Sequence, residues 1–89
     1  MTGIRLTLLG RAYCGLCDVM RDAVTPVAAA HGMGLDVVDV DAHPALEARW
    51  GEFVPVLFLG EPAPEHELCL YHFDPERVRD ALARGRVST

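Results

Sequence analysis

The apolar positions of the chain follow two periods, and the changes from one to the other divide it into elements. Ile4 to Leu9 alternates, with Ile4, Leu6 and Leu8 on one side and Arg5, Thr7 and Leu9 on the other, as a short strand would. Gly10 to Tyr13 reads as the loop that follows. From Gly15 onward Leu16, Val19, Met20, Ala23, Val24 and Val27 recur every three or four residues, the spacing of one helix face, until Gly32 and Gly34 end the pattern. Pro26 lies inside this helix and, lacking an N–H, is expected to kink it. Leu35 to Val40 is valine-rich and too short for a helix, so it is assigned to a second strand, parallel to the first across the helix.

His43-Pro44 opens a short helix with proline at its first position, and Gly51 closes it after Leu46, Arg49 and Trp50. Val54 to Leu59 is the third predicted strand. The turn-rich stretch Gly60 to Glu65 is short enough for an antiparallel hairpin to a fourth strand, His66 to Tyr71. Asp74-Pro75-Glu76 supplies a cap, a first-position proline and a first-turn acid for the last helix, with Val78, Ala81 and Leu82 as its buried stripe and Gly85 as its stop. The order β-α-β-α-β-β-α implies an α/β architecture: a four-stranded mixed sheet with helices over both faces.

Composition narrows the function classes. A chain of 89 residues, 51% hydrophobic and 24% charged, fits one compact domain over 1–89, with 85–89 as a flexible tail. Thirteen acids against eight bases give −5, and the bases are all scattered arginines, which disfavours nucleic acid as a partner. The longest apolar run, Phe53 to Leu59, includes a proline and is far below the ~18 residues of a membrane span. The start Met1-Thr2-Gly3-Ile4-Arg5 has no cationic leader pattern, so a cytoplasmic location is expected. Three cysteines do not make a disulfide scaffold, but Cys14 and Cys17 form a Cys-x-x-Cys pair.

That pair carries the candidate chemistry. Only a thiolate attacks a disulfide, and at an ordinary pKa of ~8.5 about 3% of a thiol is ionised at pH 7. The predicted boundary puts Cys14 at a helix N-terminus, where free N–H groups and the helix dipole favour the anion, so Cys14 is assigned as the nucleophile. Cys17 lies one turn inward on the same side, placed to attack a mixed disulfide at Cys14 as the resolving thiol.

Two other uses of the pair remain open: buried cysteines serving packing alone, and half of a zinc or iron–sulfur site. A metal needs further ligands. His66 and His72 would share one face of the fourth strand about 20 Å apart, too far for one zinc with ~2 Å bonds. Cys69 points to the other face and is assigned to the core, while His31 and His43 have no partner at ligand spacing. A cluster shared between two chains through Cys14 and an external thiol is the form a metal carrier would take.

With these residues in hand the chain resembles the thioredoxin superfamily, and within it the small glutaredoxin-like proteins, from Ile4 to Leu82. Gly10-Arg11-Ala12-Tyr13-Cys14-Gly15-Leu16-Cys17 is similar to the glutaredoxin active-site segment. There a basic residue three before the first cysteine helps hold the glutathione carboxylate, and Arg11 matches it. Tyr13 and Gly15 look thioredoxin-like. Val54-Pro55 resembles the family's Val-Pro step, whose proline is cis and whose preceding backbone pairs with the substrate's cysteine; Asp74 matches the Asp that begins the last helix. Two positions depart from the pattern: Tyr71-His72-Phe73 stands where glutathione-using relatives carry a Gly-Gly turn, and Leu8 where thioredoxins bury an Asp.

The resemblance implies a thioredoxin-like fold and a thiol–disulfide oxidoreductase acting on protein disulfides or glutathione mixed disulfides. Cys14 and Cys17 would be catalytic, and Arg11, Tyr13, Val54, Pro55 and Asp74 would form the substrate side. Glutathione or a thioredoxin-reductase-type partner would be the electron donor; a monomer with no tightly bound cofactor or metal is expected, and the short apolar runs exclude a membrane partner. An iron–sulfur or metal carrier, or a redox-inert binding module of the same fold, is the alternative.

Overall fold

The computed structural model describes the backbone of residues 5–87 and the side chains of residues 5–84. Ile4 and the last two residues of the expected tail lie outside this range. The elements run β1 (Leu6–Gly10), α1 (Gly15–Ala30), β2 (Leu35–Asp39), α2 (Pro44–Trp50), β3 (Val56–Leu59), β4 (Glu67–Leu70) and α3 (Pro75–Val87), with short 3-10 turns at Val40–Ala42, Gly51–Phe53 and Pro64–His66. The four strands form one sheet in the order β2-β1-β3-β4, β1 parallel to β2 and the remaining pairs antiparallel. This is the expected mixed sheet of a thioredoxin-like fold.

Helices cover both faces, so β1 is buried along its whole length instead of presenting one wet side. Leu6 and Leu8 pack with Met20, Val24 and Ala28 of α1, Leu57 and Cys69 of the hairpin, and Val78 and Leu82 of α3. Leu9, Val56 and Phe58 occupy the other face with Val40, flanked by Leu46 and Trp50 of α2. Trp50 meets Phe58 edge to face at 4.9 Å, which anchors the short α2 to the sheet. Thr7, on the same side, donates its hydroxyl to the Gly60 carbonyl at 2.7 Å and so satisfies a buried polar group.

Several boundaries differ from the sequence reading for identifiable reasons. β3 begins at Val56 because Pro55 has no N–H for the ladder. β4 is only Glu67–Leu70: Pro64 starts a 3-10 turn before it, and Tyr71, at φ 65°, turns the chain out of it. His66 and His72 therefore lie beyond the ends of the strand, and the His66 Nδ1–H donates to the Glu61 carbonyl at 2.9 Å. Helix α1 runs unbroken through Pro26 to Ala30. Its buried residues are Cys17, Met20, Val24 and Ala28, whereas Leu16 and Val19, expected on the inner face, are 42% and 64% exposed. Helix α3 continues past Gly85 to Val87, so the backbone of residues 85–87 is helical. A single glycine weakens a helix by about 1 kcal/mol and does not stop one. No helix among the described residues is long and apolar enough to cross a membrane.

Cys69 is 3% exposed beneath the start of α3, and its sulfur accepts the Asp74 N–H at 3.4 Å. Burial pushes this thiol's pKa up, an effect larger than the opposing Asp74 N–H bond. The folded state thus keeps the proton while the unfolded state loses it above about pH 8.5. Its contribution to stability is complete below that pH and declines as pH rises further, by at most about 1.4 kcal/mol per unit. Urea denaturation of the oxidised protein between pH 7 and 10 should show this alkaline limb, and Cys69→Ala should flatten it; an equal limb in the variant would contradict the assignment.

Candidate active site

The site lies at the end of the sheet where β1 and β2 finish. Gly10, the last residue of β1, pairs with Asp39 on one side. The antiparallel register that matches Leu9 with Val56 sets Pro55 across from Gly10 on the other side. Tyr71 continues the row by donating its N–H to the Pro55 carbonyl at 2.9 Å. Ligand sites in open α/β sheets form outside the carboxyl ends of such strands.

Gly10 leaves room for what lies above it. A methyl group there would come within 3.3 Å of both Cβ and Sγ of Cys17, so glycine lets the first turn of α1 rest on the strand end. Between them the chain turns through Tyr13 at φ 60°, a left-handed conformation that costs a residue with a Cβ about 1–2 kcal/mol. Cys14 follows as the N-cap of α1, extended at φ −113° and ψ 105°. Its sulfur takes the place of a capping oxygen and accepts the Cys17 N–H at 3.1 Å, while its carbonyl accepts the Asp18 N–H at 3.2 Å. The sulfur thus sits at the positive end of a 16-residue helix, where an anion is favoured.

Cys14 and Cys17 have their Cα atoms 5.2 Å apart and their sulfurs at disulfide distance. Cys17 is 7% exposed, and Cys14 is the more open of the two. Only Cys14 is therefore accessible to an incoming disulfide. A cleft of about 250 Å³ on the β2 side of Cys17, lined in part by Arg11, Asp18, Arg21 and Asp39, brings solvent toward the inner thiol.

The Val54–Pro55 peptide is cis, and Pro55 is buried beside Gly10. Tyr71 straps the segment before it, since its phenol donates to the Glu52 carbonyl at 3.3 Å while its backbone holds Pro55. Arg11 straps the same segment from the other side. Its guanidinium donates to the Gly51 carbonyl at 3.0 Å and lies 3.6 Å from Asp41 and 3.5 Å from Glu47. The structure thus turns Arg11 toward α2 and the approach to Val54. Asp74 caps α3 by accepting the Arg77 N–H at 3.2 Å, and Tyr13 projects fully into solvent. Among the described residues, no group of three or more His, Cys, Asp or Glu is placed to hold a metal ion.

The model of the glutaredoxin-like domain family matches residues 5–83. The chain belongs to the glutaredoxin-like family. Among solved structures, this glutaredoxin-like chain is similar to protein Ne2328 of Nitrosomonas europaea, with a TM-score of 0.75 and 26% identity over 91% of this chain and 93% of that one. It is also similar to target protein XcR50 of X. campestris, with a TM-score of 0.63 and 34% identity over 89% and 96% of the two chains. Thioredoxin 1 of Thermosipho africanus shares the fold at a TM-score of 0.65 and 20% identity, over 94% and 97%. No curated protein matches the chain.

Sequence reasoning missed the anchorage of Arg11, because Gly51, Asp41 and Glu47 are distant in sequence and carry no motif. Gly51, read from the sequence only as the end of α2, lies under these groups: a methyl group there would fall 2.7 Å from Arg11 Nη2 and 2.8 Å from Glu47 Oε2. A charged hydrogen bond of this kind is worth about 1.5–3 kcal/mol when buried and less at a half-open site. Arg11→Ala is expected to lower stability by about 1 kcal/mol in urea denaturation, and Arg11→Lys to restore only part of it, because a point charge cannot serve three acceptors. An unchanged midpoint in Arg11→Ala would show that the strap contributes nothing.

Proposed function

We propose that this glutaredoxin-like protein is a thiol–disulfide oxidoreductase of a reducing compartment, with Cys14 as nucleophile and Cys17 as resolving thiol. The observation that carries this reading is the accessible Cys14 sulfur held at the N-cap of α1 with the shielded Cys17 sulfur at disulfide distance.

The Cys14 thiolate attacks one sulfur of a substrate disulfide. That S–S bond breaks, a mixed disulfide forms at Cys14, and the other substrate sulfur leaves as thiolate and takes up a proton. Cys17 then gives its proton to water and attacks the Cys14 sulfur, releasing the second substrate thiol and leaving the Cys14–Cys17 disulfide. The substrate has gained two electrons and the protein has lost them. Two glutathione molecules, or a reductase of the thioredoxin-reductase type, return them, and no resident metal or organic cofactor takes part. The substrate backbone pairs along Val54 beside Pro55, with Tyr13, Arg11 and Asp74 around it; Arg11 acts here by holding the Gly51–Val54 segment in place.

Cys14→Ser should abolish disulfide reduction, at least a thousandfold in kcat/KM, because the hydroxyl does not ionise near neutral pH. Cys17→Ser should keep the first attack and accumulate a mixed disulfide visible by mass, with turnover through the dithiol route lost. Full turnover by Cys14→Ser in a coupled assay with a protein disulfide would refute the mechanism.

A further inference from the structure

Helix α1 carries its exposed side chains on two chemically different flanks. Asp18 and Arg21 line the cleft against β2, so the charged flank faces that strand. Residues at spacings of three and four share a flank, which puts Leu16, Val19, Ala23 and Val27 together on the other side. Val27 and Pro26 meet Phe73 and Pro75 in a second cleft, so this apolar flank faces the start of α3. Its outer half, Leu16 and Val19, is uncovered beside the nucleophile. Tyr13, on the other side of Cys14 in the chain, is wholly exposed. Tyr71, exposed, donates its N–H to the Pro55 carbonyl, and exposed Phe53 lies two residues before that proline. Five of the seven exposed large apolar side chains among the described residues thus lie within five residues of Cys14, within two of the cis-proline, or on the residue hydrogen-bonded to that proline.

The charges around this collar are acidic in balance. Arg11 is engaged by Gly51, Asp41 and Glu47, and its remaining Nε is buried away from solvent. Arg21 is held between Asp18 at 3.6 Å and Asp22 at 3.9 Å. Exposed Glu52 has no guanidinium among these partners. Arg11 and Arg21 are therefore already neutralised, and with exposed Arg49 counted beside them the carboxylates of Asp18, Asp22, Asp41, Glu47 and Glu52 still outnumber the arginines five to three.

We propose that the collar selects a protein disulfide borne on an exposed segment rich in apolar and basic residues, in preference to glutathione adducts. The proposal rests on the dithiol reading above and names its substrate class. Apolar side chains of the segment seat on Tyr13, Leu16, Val19 and Phe53, and its lysines or arginines face the surplus carboxylates. Glutathione brings two carboxylates, one ammonium and no apolar side chain, so it meets like charge and an apolar rim it cannot cover. Tyr71, hydrogen-bonded to the Glu52 and Pro55 carbonyls, holds one side of the collar in place.

The test compares three disulfide substrates on the whole protein: a cystine peptide flanked by Leu, Phe and Lys, the same peptide with Glu for Lys, and a glutathione mixed disulfide of a small thiol. The basic peptide should be reduced with kcat/KM at least tenfold above either of the others, chiefly through KM. That advantage should shrink severalfold between 50 mM and 500 mM salt, as charge attraction is screened. Leu16→Ser with Val19→Ser, both at exposed positions, should narrow the advantage over the glutathione adduct several-fold. Equal or better turnover of the acidic peptide or the glutathione adduct would overturn the proposal while leaving the dithiol reading intact. Binding of the reduced basic peptide to Cys14→Ser, followed by calorimetry, separates the two claims. Selective binding supports the collar even if no substrate is turned over, and absence of selectivity overturns it.

Discussion

The seating of Cys17 on Gly10 is the contact on which the site depends. Because the last residue of β1 has no side chain, the first turn of α1 can close directly over the strand end. Cys17 is thereby buried, and Cys14 is left one turn outward as the N-cap. This close approach of helix to strand end goes with the shielding of Cys17, while the helix start at Gly15 leaves Cys14 open at the free N–H groups. It also fixes the sulfurs relative to Pro55, since Gly10 sits across from it in the sheet register.

The second requirement is that the segment entering β3 be held still, and the chain meets it with long-range polar contacts. That segment crosses the sheet end without being a strand, so ladder hydrogen bonds cannot hold it. Arg11 reaches the Gly51 carbonyl from the loop before Cys14, and Tyr71 reaches Glu52 and Pro55 from the loop after β4. Tyr71 does this at φ 65°, where glycine would be less strained, so its ring and hydroxyl have a role that a bare turn would not fill. In the proposed function these straps keep the substrate-facing backbone beside the nucleophile.

Much of this was legible in the sequence, because the elements are short, periodic and sharply punctuated. The Pro44 and Pro75 starts, the Asp74 cap and the Cys14 boundary are local signals, and the structure places helices where they predict. What escaped was decided by tertiary partners. Leu16 and Val19 have the period of a buried stripe, but that stripe is wider than the sheet face α1 covers, and their side stays open. Gly85 fits a stop signal, yet α3 runs on to Val87, because a single glycine weakens a helix without ending it. Arg11 matched a ligand-binding position by its distance from Cys14, while its hydrogen-bond partner is 40 residues away.

The central claim is that Cys14 and Cys17 form a reversible dithiol couple isolated from Cys69. The most direct test is a redox titration in glutathione buffers of graded poise, with alkylation and mass counting of modified cysteines at each point. The account predicts one two-electron step confined to Cys14 and Cys17, with Cys69 unmodified until the protein is unfolded. A pair that never closes at any poise, or a step that enlists Cys69, would contradict it.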